Sequence, residues 1–397
     1  MKQRELALNI LNKTIADKSY SNLLMRRELN KIEPIKRAFV TNLVNGVLRK
    51  YEFLSYQFLE DIDAKTSLRI RLILCMAMFE RFVLKQEDYV VNNEYVSLGR
   101  NKYEKAFINV LLHKHTSLKA SPDPDVNACL PKWIYDLLSR QYSLEDLRKI
   151  ISIYQRIPDT YYRINRRKCT FDDLRHLNIE IINEDSFRCN DNLLKTKEYE
   201  NGFFYVQDVN SASLYRHLDL KENDSLLDVC CAPGSKLFNC LDVLYPKNCY
   251  ANDLHYHRVE LIRKMADKLG YRGINYLNMD GRAIKDNINL RFDKILLDAP
   301  CSGLGVIGRK PDLKFHIEPK DLDELQILQY QLLCSMDDIL MNGGILLYST
   351  CTLNKKENEK LIRKFLSEND DYLLMEDETI INELGDCFYY AKMKKVK

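Results

Sequence analysis

Residues 225–236 have the sequence SLLDVCCAPGSK, in which an apolar run ends at an aspartate and a loop of small residues follows. The apolar run predicts a strand that ends at Asp228, and Leu237, Leu241 and Leu244 predict a helix after the loop. A tight loop between a strand and a helix allows the backbone to approach a ligand closely. The segment therefore predicts an α/β fold with a ligand-binding turn, although an ordinary turn would have the same pattern.

Other apolar runs continue this pattern along the chain. They end in Asn252, Met279, Asp298 and Thr350, and each is followed by a turn. Helical stretches lie between most of them, including residues 322–340. This alternation predicts a mostly parallel sheet with helices on both faces. Ligands bind such sheets at the carboxyl ends of the strands, so the chemistry is expected there.

The first third of the chain has a different pattern. Residues 1 to about 118 show helical periodicity almost throughout and few strand signals, and Pro122 and Pro124 then interrupt it. We predict a helical domain at residues 1–125. A small mixed connecting subdomain is predicted at residues 126–205, and an α/β domain at residues 206–397.

Composition restricts the class of protein. With 46% hydrophobic and 29% charged residues, the chain is typical of a globular protein. It contains no run of about 20 apolar residues and does not open with a secretory signal, so we expect no membrane partner and a cytoplasmic location. Its twelve cysteines are therefore expected to be reduced, and no CxxC or HxxxH pair suggests a metal site.

The net charge of +3 hides an asymmetry between the two parts of the chain. Residues 1–120 carry 21 basic and 13 acidic side chains, whereas residues 121–397 carry 39 and 44. The basic excess of the first part is modest. It is compatible with binding to nucleic acid but does not by itself establish it.

Two further aspartates indicate a nucleoside site. Asp253 lies 25 residues after Asp228 and follows the next apolar strand, where a carboxylate can accept hydrogen bonds from both ribose hydroxyls. Asp280 is placed similarly after another strand and could accept from an adenine amino group. Either aspartate alone could instead be a solvated turn or a helix cap. Because the GxGxxG pattern is missing, a nucleoside cofactor without phosphates is favoured over a dinucleotide.

Two cysteines follow strands that are predicted to reach the same edge of the sheet. Cys301 follows the strand that ends at Asp298, and Cys351 follows the strand that ends at Thr350. Most cysteines are small core residues, so either one alone would be weak support for catalysis. The residues after Cys351 strengthen its case, because Asn354 and Glu357 resemble a capping pair that opens a helix at 355–366. A thiol facing the positive end of a helix has a lowered pKa.

A reactive thiol beside a carboxylate is suited to methylation of a ring carbon that is not nucleophilic enough to be alkylated directly. Addition of a thiolate to carbon 6 of cytosine, with an acid supporting the ring nitrogen, makes carbon 5 nucleophilic enough to take a methyl group. A base then removes the carbon 5 proton, and loss of the thiol restores the ring. Such chemistry requires access to the base from both faces, so an unstacked or flipped nucleotide is expected.

The ordered motifs resemble those of the RNA 5-methylcytosine methyltransferases, and in particular the RsmB (Sun, Fmu) group of bacterial 16S ribosomal RNA methyltransferases. The resemblance rests on residues 227–236, Asp253-Leu254-His255, Asp280-Gly281-Arg282, residues 298–305 with Pro311-Asp312, and Ser349-Thr350-Cys351-Thr352 with Glu357-Asn358. Residues 1 to about 118 are similar to the NusB-like RNA-binding domain of that group. The resemblance implies an all-α NusB-like domain, a small mixed connecting subdomain and a Rossmann-like α/β methyltransferase core that uses S-adenosylmethionine.

The resemblance also implies roles for individual residues. Cys351 would be the nucleophile, Cys301 would assist release of the product, and Asp298 would lie near the target ring. The implied cofactor-binding residues are Cys230, Cys231, Ala232, Pro233, Gly234, Ser235, Lys236, Asp253, Asp280 and Asp298. The family loop usually has a second glycine where this chain has Ser235, which would weaken cofactor binding if that position needs a positive φ.

The implied activity is methylation of carbon 5 of a cytosine in RNA, and the expected partner is 16S ribosomal RNA. The enzyme is expected to be a monomer. Three alternatives stay open at this stage. Cys301 could be the nucleophile in place of Cys351, since a Pro-Cys pair has that role in DNA cytosine methyltransferases. The substrate could be transfer RNA. The protein could also be a non-catalytic RNA-binding factor in ribosome assembly.

Overall fold

The computed structural model describes residues 3–396, which form two compact units. The first unit contains the chain up to Arg156 and, in addition, Ile307–Glu318. The second contains Ile157–Val306 and the chain from Pro319 onward. None of the helices in the described residues combines the length and apolar character that crossing a bilayer requires.

The first unit is helical, as predicted. Its helices before the prolines are α1 (Gln3–Ala16), α2 (Ser21–Leu29), α3 (Pro34–Tyr56), α4 (Leu68–Phe82), α5 (Asp88–Ser97) and α6 (Lys102–Lys114). Polar caps fix two helix starts. The Ser67 hydroxyl accepts from the N–H of Ile70, the third residue of α4, and the Asn101 side chain accepts from two N–H groups of α6. A Cβ on Gly46 would lie 2.0 Å from the Phe79 ring, so this glycine permits the close approach of α3 and α4.

The boundary of this unit lies later than the predicted residue 125. Helices α7 (Pro124–Asn127), α8 (Lys132–Gln141) and α9 (Leu144–Gln155) belong to the first unit. The predicted linker is held by hydrogen bonds, because the Gln57 amide donates to the Lys119 carbonyl oxygen at 3.0 Å and accepts from its N–H at 2.8 Å. Residues 126–205 are thus divided between the two units and do not form a separate one.

The second unit begins with a small antiparallel sheet that corresponds to the mixed region predicted from sequence. Its strands are β1 (Tyr161–Ile164), β2 (Glu180–Ile181), β3 (Ser186–Arg188) and β4 (Phe204–Val206), in the order β2-β3-β1-β4, and α10 (Lys197–Glu200) precedes β4. Tyr162, Phe187 and Phe204 pack their rings against one another with centroids 5.3 to 5.4 Å apart. This aromatic cluster forms the core of the small sheet.

A seven-stranded sheet carries the site. Its strands are β5 (Leu226–Asp228), β6 (Cys249–Asn252), β7 (Asn275–Leu277), β8 (Phe292–Asp298), β9 (Leu340–Thr350), β10 (Tyr372–Ile380) and β11 (Phe388–Lys395), in the order β10-β11-β9-β8-β5-β6-β7. The five strands β5 to β9 are parallel, as predicted, whereas β10 and β11 form an antiparallel edge that the sequence analysis did not predict. Strand order reverses at β5, which is where open α/β sheets bind ligands.

Helices cover both faces of this sheet. The remaining helices of the described residues are α11 (Val209–Ser213), α12 (Ser235–Cys240), α13 (Tyr256–Leu269), α14 (Ile284–Asn287), α15 (Leu313–His316), α16 (Pro319–Ser335) and α17 (Glu359–Glu368), of which α15 belongs to the first unit. Leu226 packs in one apolar cluster with Leu237 of α12, while Leu227 packs in another with Leu333 of α16. The helix predicted at 322–340 ends earlier, because Leu340 begins β9.

The segment Ile307–Glu318 lies within the first unit, although the chain segments on both sides belong to the second. The Asp312 carboxylate accepts from the N–H of Ser21 at 2.9 Å, at the start of α2. The buried Lys314 ammonium binds the Glu52 carboxylate and donates to the Cys129 carbonyl oxygen at 2.8 Å. In this structure Asp312 of the Pro311-Asp312 motif therefore binds a helix of the first unit.

Candidate active site

The ends of the parallel strands enclose a cavity of about 440 Å³. Seven of the predicted site residues line it, namely Cys230, Ala232, Asp253, Asp280, Asp298, Cys301 and Cys351. Val229, Leu328 and Leu332 add apolar surface. A largely apolar cavity with a few converging polar groups is the usual form of a small-molecule site.

The other predicted cofactor residues do not line the cavity and instead fix the conformation of the loop after β5. Cys231 is buried in the core beneath α12, and burial together with the nearby Asp228 raises the pKa of its thiol well above the usual value. Gly234 has φ +101°, and a Cβ there would lie 2.6 Å from the Phe238 ring, so glycine is required. Ser235 is the first residue of α12 and is helical, so the strain considered for a serine at this position does not arise. Pro233, like these residues, does not line the cavity.

Asp253 and Asp280 present carboxylates at neighbouring strand ends. Asp253 is 2% exposed and accepts from the N–H groups of Ala232 and His255 at 3.3 and 3.2 Å. Arg282 makes a two-point contact with Asp280 through bonds of 3.0 and 2.6 Å, and these hydrogen bonds lower the pKa of Asp280. Both side chains are therefore fixed, with carboxylate oxygens on the wall of the cavity.

Asp228 adds a third carboxyl group behind this wall. It is 1% exposed, and its Oδ1 has no hydrogen-bond partner among the described residues. Burial and the nearby Asp298 raise the pKa of Asp228 to about 7. A cationic nucleoside carries a positive charge and hydroxyl and amino donors, which match the carboxyl groups of the cavity. Its base matches the apolar wall. The residues present therefore fit S-adenosylmethionine.

Asp298 is held in place at the end of β8. Its Oδ2 accepts from the Lys236 ammonium at 2.6 Å, and its Oδ1 accepts from the Ser349 hydroxyl at 2.8 Å. Burial alone would lower the pKa of Lys236, but the charge of Asp298 and its hydrogen bond raise it, so Lys236 stays protonated. Lys236 thus acts on the cavity through Asp298 and does not line it.

The two predicted thiols meet in the cavity. The Cys301 and Cys351 sulfurs lie 3.3 Å apart because β8 and β9 are paired in register up to Asp298 and Ser349. The hydrogen bond to Cys351, followed by burial, raises the pKa of Cys301 well above the usual value. The two thiols therefore form one hydrogen-bonded pair, in which either sulfur can be the donor.

The capping interaction predicted after Cys351 is wrong. Helix α17 begins at Glu359 and not at residue 355, and residues 355–358 form a turn. Asn354 and Glu357 point into a buried hydrogen-bond network that includes Ser302. A lowered thiol pKa at the start of a helix therefore has no support from this arrangement. The network itself was missed, since a capping pair and a buried tertiary contact have the same local sequence pattern.

Comparison with known proteins supports this description. Residues 215–394 match the family described as 16S rRNA methyltransferase RsmB/F, and residues 1–117 match the NusB family. The chain is 31% identical over 397 residues to the probable ribosomal RNA small subunit methyltransferase B of Bacillus subtilis (strain 168), covering 93% of this chain and 89% of that protein. It is 26% identical to the protein of the same name in Synechocystis, covering 93% and 90%.

Solved structures share the fold. The crystal structure of PH0851 superposes with a TM-score of 0.76 at 20% identity, covering 100% of this chain and 99% of the other. At this identity the likeness concerns the fold alone. The family and the curated relatives identify an S-adenosylmethionine-dependent RNA methyltransferase, so the non-catalytic alternative is not retained. With a relative more than 30% identical over most of both chains, the protein belongs to the RsmB/F family of 16S rRNA methyltransferases.

Proposed function

We propose that this enzyme methylates carbon 5 of a cytosine in 16S ribosomal RNA through a temporary bond between the Cys351 sulfur and carbon 6 of the base. The observation that carries the proposal is the 3.3 Å separation of the two sulfurs. They lie in the same cavity as Asp298, Asp253 and Asp280. When bound, S-adenosylmethionine supplies the electrophilic methyl group.

Cys351 acts as the nucleophile. Its thiolate forms a bond to carbon 6, and the electron pair of the 5,6 double bond moves through carbon 5 towards the ring nitrogen. That nitrogen takes a proton from the Lys236 ammonium through Asp298. The contacts of Asp298 with Lys236 and Ser349 support this role, because they hold the carboxylate in one orientation. After methylation, solvent water takes the carbon 5 proton, the electron pair of that C–H bond restores the 5,6 double bond, and the bond between carbon 6 and sulfur breaks to release the Cys351 thiolate. The ring nitrogen returns its proton to Asp298.

Cys301 assists this last step. Because its pKa is raised by the hydrogen bond to Cys351, it is a proton carrier and a poor nucleophile near neutral pH. Its sulfur lies where it can stabilise the departing Cys351 thiolate with a hydrogen bond.

The cofactor is held by the loop after β5 and by the carboxylates of the next strands. Asp253 binds the ribose hydroxyls, and Asp280 accepts from the adenine amino group. Residues 230–236 provide the backbone against which the cofactor lies, with Cys230 and Ala232 on the cavity wall. Cys231, Pro233, Gly234, Ser235 and Lys236 keep that backbone in place.

Asp253→Ala is expected to weaken cofactor binding by roughly 30- to 150-fold, because two hydrogen bonds to a carboxylate are lost at about 2 to 3 kcal/mol in total. Calorimetric titration of the protein with S-adenosylhomocysteine measures this change. Thermal unfolding of the cofactor-free variant is the control, since Asp253 also binds the Ala232 and His255 N–H groups. A variant that melts like the unmodified protein and binds with unchanged affinity would remove Asp253 from the cofactor site.

The product identifies the reaction. Purified enzyme, radiolabelled S-adenosylmethionine and RNA lacking modifications are incubated, and the RNA is digested to nucleosides. We expect the label in 5-methylcytidine and in 16S ribosomal RNA in preference to a transfer RNA pool. Label in another nucleoside would contradict carbon 5 chemistry, and preferential labelling of transfer RNA would establish the alternative substrate.

A further inference from the structure

A buried glutamate joins the two cysteine segments. Glu357 is fully buried, and both of its carboxylate oxygens accept hydrogen bonds. Oε2 accepts from the N–H of Ser302 and from the side-chain amide of Gln329, each at 2.9 Å. Oε1 accepts from the Ser302 hydroxyl at 2.6 Å and from the Asn354 amide at 3.1 Å. A buried carboxylate is stable in such a site because four donors replace water.

The donors lie beside both sulfur-bearing residues. Ser302 directly follows Cys301, and Thr352 directly follows Cys351. The Ser302 and Thr352 hydroxyl oxygens are 2.6 Å apart, and since Ser302 uses its proton for Glu357, Thr352 donates to Ser302. One carboxylate is therefore connected to both cysteine segments.

A third element secures the other side of Cys301. Gln329 on α16 donates from the same amide nitrogen to the Pro300 carbonyl oxygen and to Glu357, each at 2.9 Å. Cys301 is consequently held through the residue before it and the residue after it. Ser302, Gln329 and Asn354 are all buried, so water does not compete for these bonds.

We propose that Glu357 is a positioning residue that fixes the distance between the Cys301 and Cys351 sulfurs. Its catalytic meaning rests on the proposed function, in which the two thiols act in sequence. Glu357 does not line the cavity and so does not itself contact a substrate there. It acts by holding the two segments in register at the point where the strands have ended.

The chemistry of the network explains why a carboxylate is required. All four partners donate, so the group at position 357 must accept at both of its oxygens. A glutamine of the same size would direct an NH₂ group at two donors, which leaves buried donors unpaired and separates the segments. Glu357→Gln thus keeps the size and shape of the side chain but replaces one accepting oxygen with a donating NH₂ group.

Oxidative cross-linking measures the sulfur separation without RNA. Diamide removes two hydrogen atoms from a pair of thiols, forming one disulfide and one hydrazine, and the Cys301–Cys351 disulfide is quantified by mass spectrometry of alkylated peptides. We expect Glu357→Gln to form it at least about tenfold more slowly than the unmodified enzyme, because the effective concentration of one thiol near the other falls. Affinity for S-adenosylhomocysteine should change by less than about twofold, because the ligand site does not include Glu357.

Glu359→Gln is the matched control. It makes the same charge change two residues away, where Glu359 accepts from the Thr379 hydroxyl at 3.2 Å, and it should cross-link like the unmodified enzyme. If Glu357→Gln does not fold, Ser302→Ala replaces it, since this change removes one donor and leaves the carboxylate and both thiols. We expect a cross-linking rate about threefold lower for Ser302→Ala.

Rescue gives a second readout. In the unmodified enzyme the Asn354 amide donates to Glu357. In the double variant Glu357→Gln with Asn354→Asp, the side chain at 357 donates and the one at 354 accepts, so the cross-linking rate should recover in part. Cross-linking of folded Glu357→Gln, or of Ser302→Ala in its place, at the unmodified rate would overturn the inference. Because this assay contains no RNA, its result is independent of whether 5-methylcytidine is the product.

Discussion

Replacing Cys351 with alanine is expected to reduce methyl transfer to RNA by at least about 1000-fold, which corresponds to roughly 4 kcal/mol of activation free energy. Without the sulfur, carbon 6 has no nucleophile and carbon 5 stays too electron-poor to take the methyl group. Transfer of label from S-adenosylmethionine into RNA measures the loss. The same variant should form no protein–RNA adduct that survives denaturing electrophoresis.

The control for Cys351→Ala is Cys189→Ala. Cys189 is a partly exposed cysteine after β3 and does not line the cavity, so its removal should leave methyl transfer unchanged. Affinity of Cys351→Ala for S-adenosylhomocysteine should also stay close to that of the unmodified enzyme. Full methyl transfer by Cys351→Ala would end the assignment of Cys351 as nucleophile.

Replacing Cys301 with alanine should have the opposite effect on the adduct. Addition and methylation still occur, but release of Cys351 from the base loses its acid–base partner, so turnover falls by about 100- to 10,000-fold. A protein–RNA adduct carrying one labelled methyl group should then accumulate. Denaturing electrophoresis of enzyme mixed with labelled RNA measures the trapped fraction.

The double variant Cys301→Ala with Cys351→Ala tests which sulfur holds the RNA. It should form no adduct, because the trapped bond in Cys301→Ala is made by Cys351. If Cys301→Ala forms no adduct and Cys351→Ala does, the two roles are exchanged. That outcome would contradict the interpretation of the 3.3 Å contact in which Cys301 keeps the proton.

Periodicity predicted the parallel part of the sheet well, because each buried strand is a short apolar run that ends at a polar residue. The strands ending at Asp228, Asn252, Asp298 and Thr350 are found where they were predicted. The antiparallel edge β10–β11 was missed. Strand β10 alternates exposed and partly buried residues and has no long apolar run, so its signal is weak.

Domain boundaries were predicted less well for a different reason. The prolines near residue 122 break the helical pattern, but α7 to α9 still fold with the helices before them, and Ile307–Glu318 joins them from much later in the chain. Lys314 illustrates the difficulty, since a lysine buried against Glu52 cannot be distinguished in sequence from an exposed one. Long-range contacts decide such boundaries.

The amino-acid sequence by itself determined where β5, β6, β8 and β9 end, and with them the placement of Asp253, Asp298, Cys301 and Cys351 at one edge of a parallel sheet. Local patterns suffice for this because each buried strand is a short apolar run, and the run stops where the strand leaves the core. The strand before Asp280 ends at Leu277 and not at the predicted Met279. Only the tertiary structure decided that the two sulfurs lie within hydrogen-bonding distance of each other. It also assigned Glu357 to a buried network and not to a helix cap. Hydrogen bonds between residues about 50 positions apart depend on strand register, which no local pattern encodes.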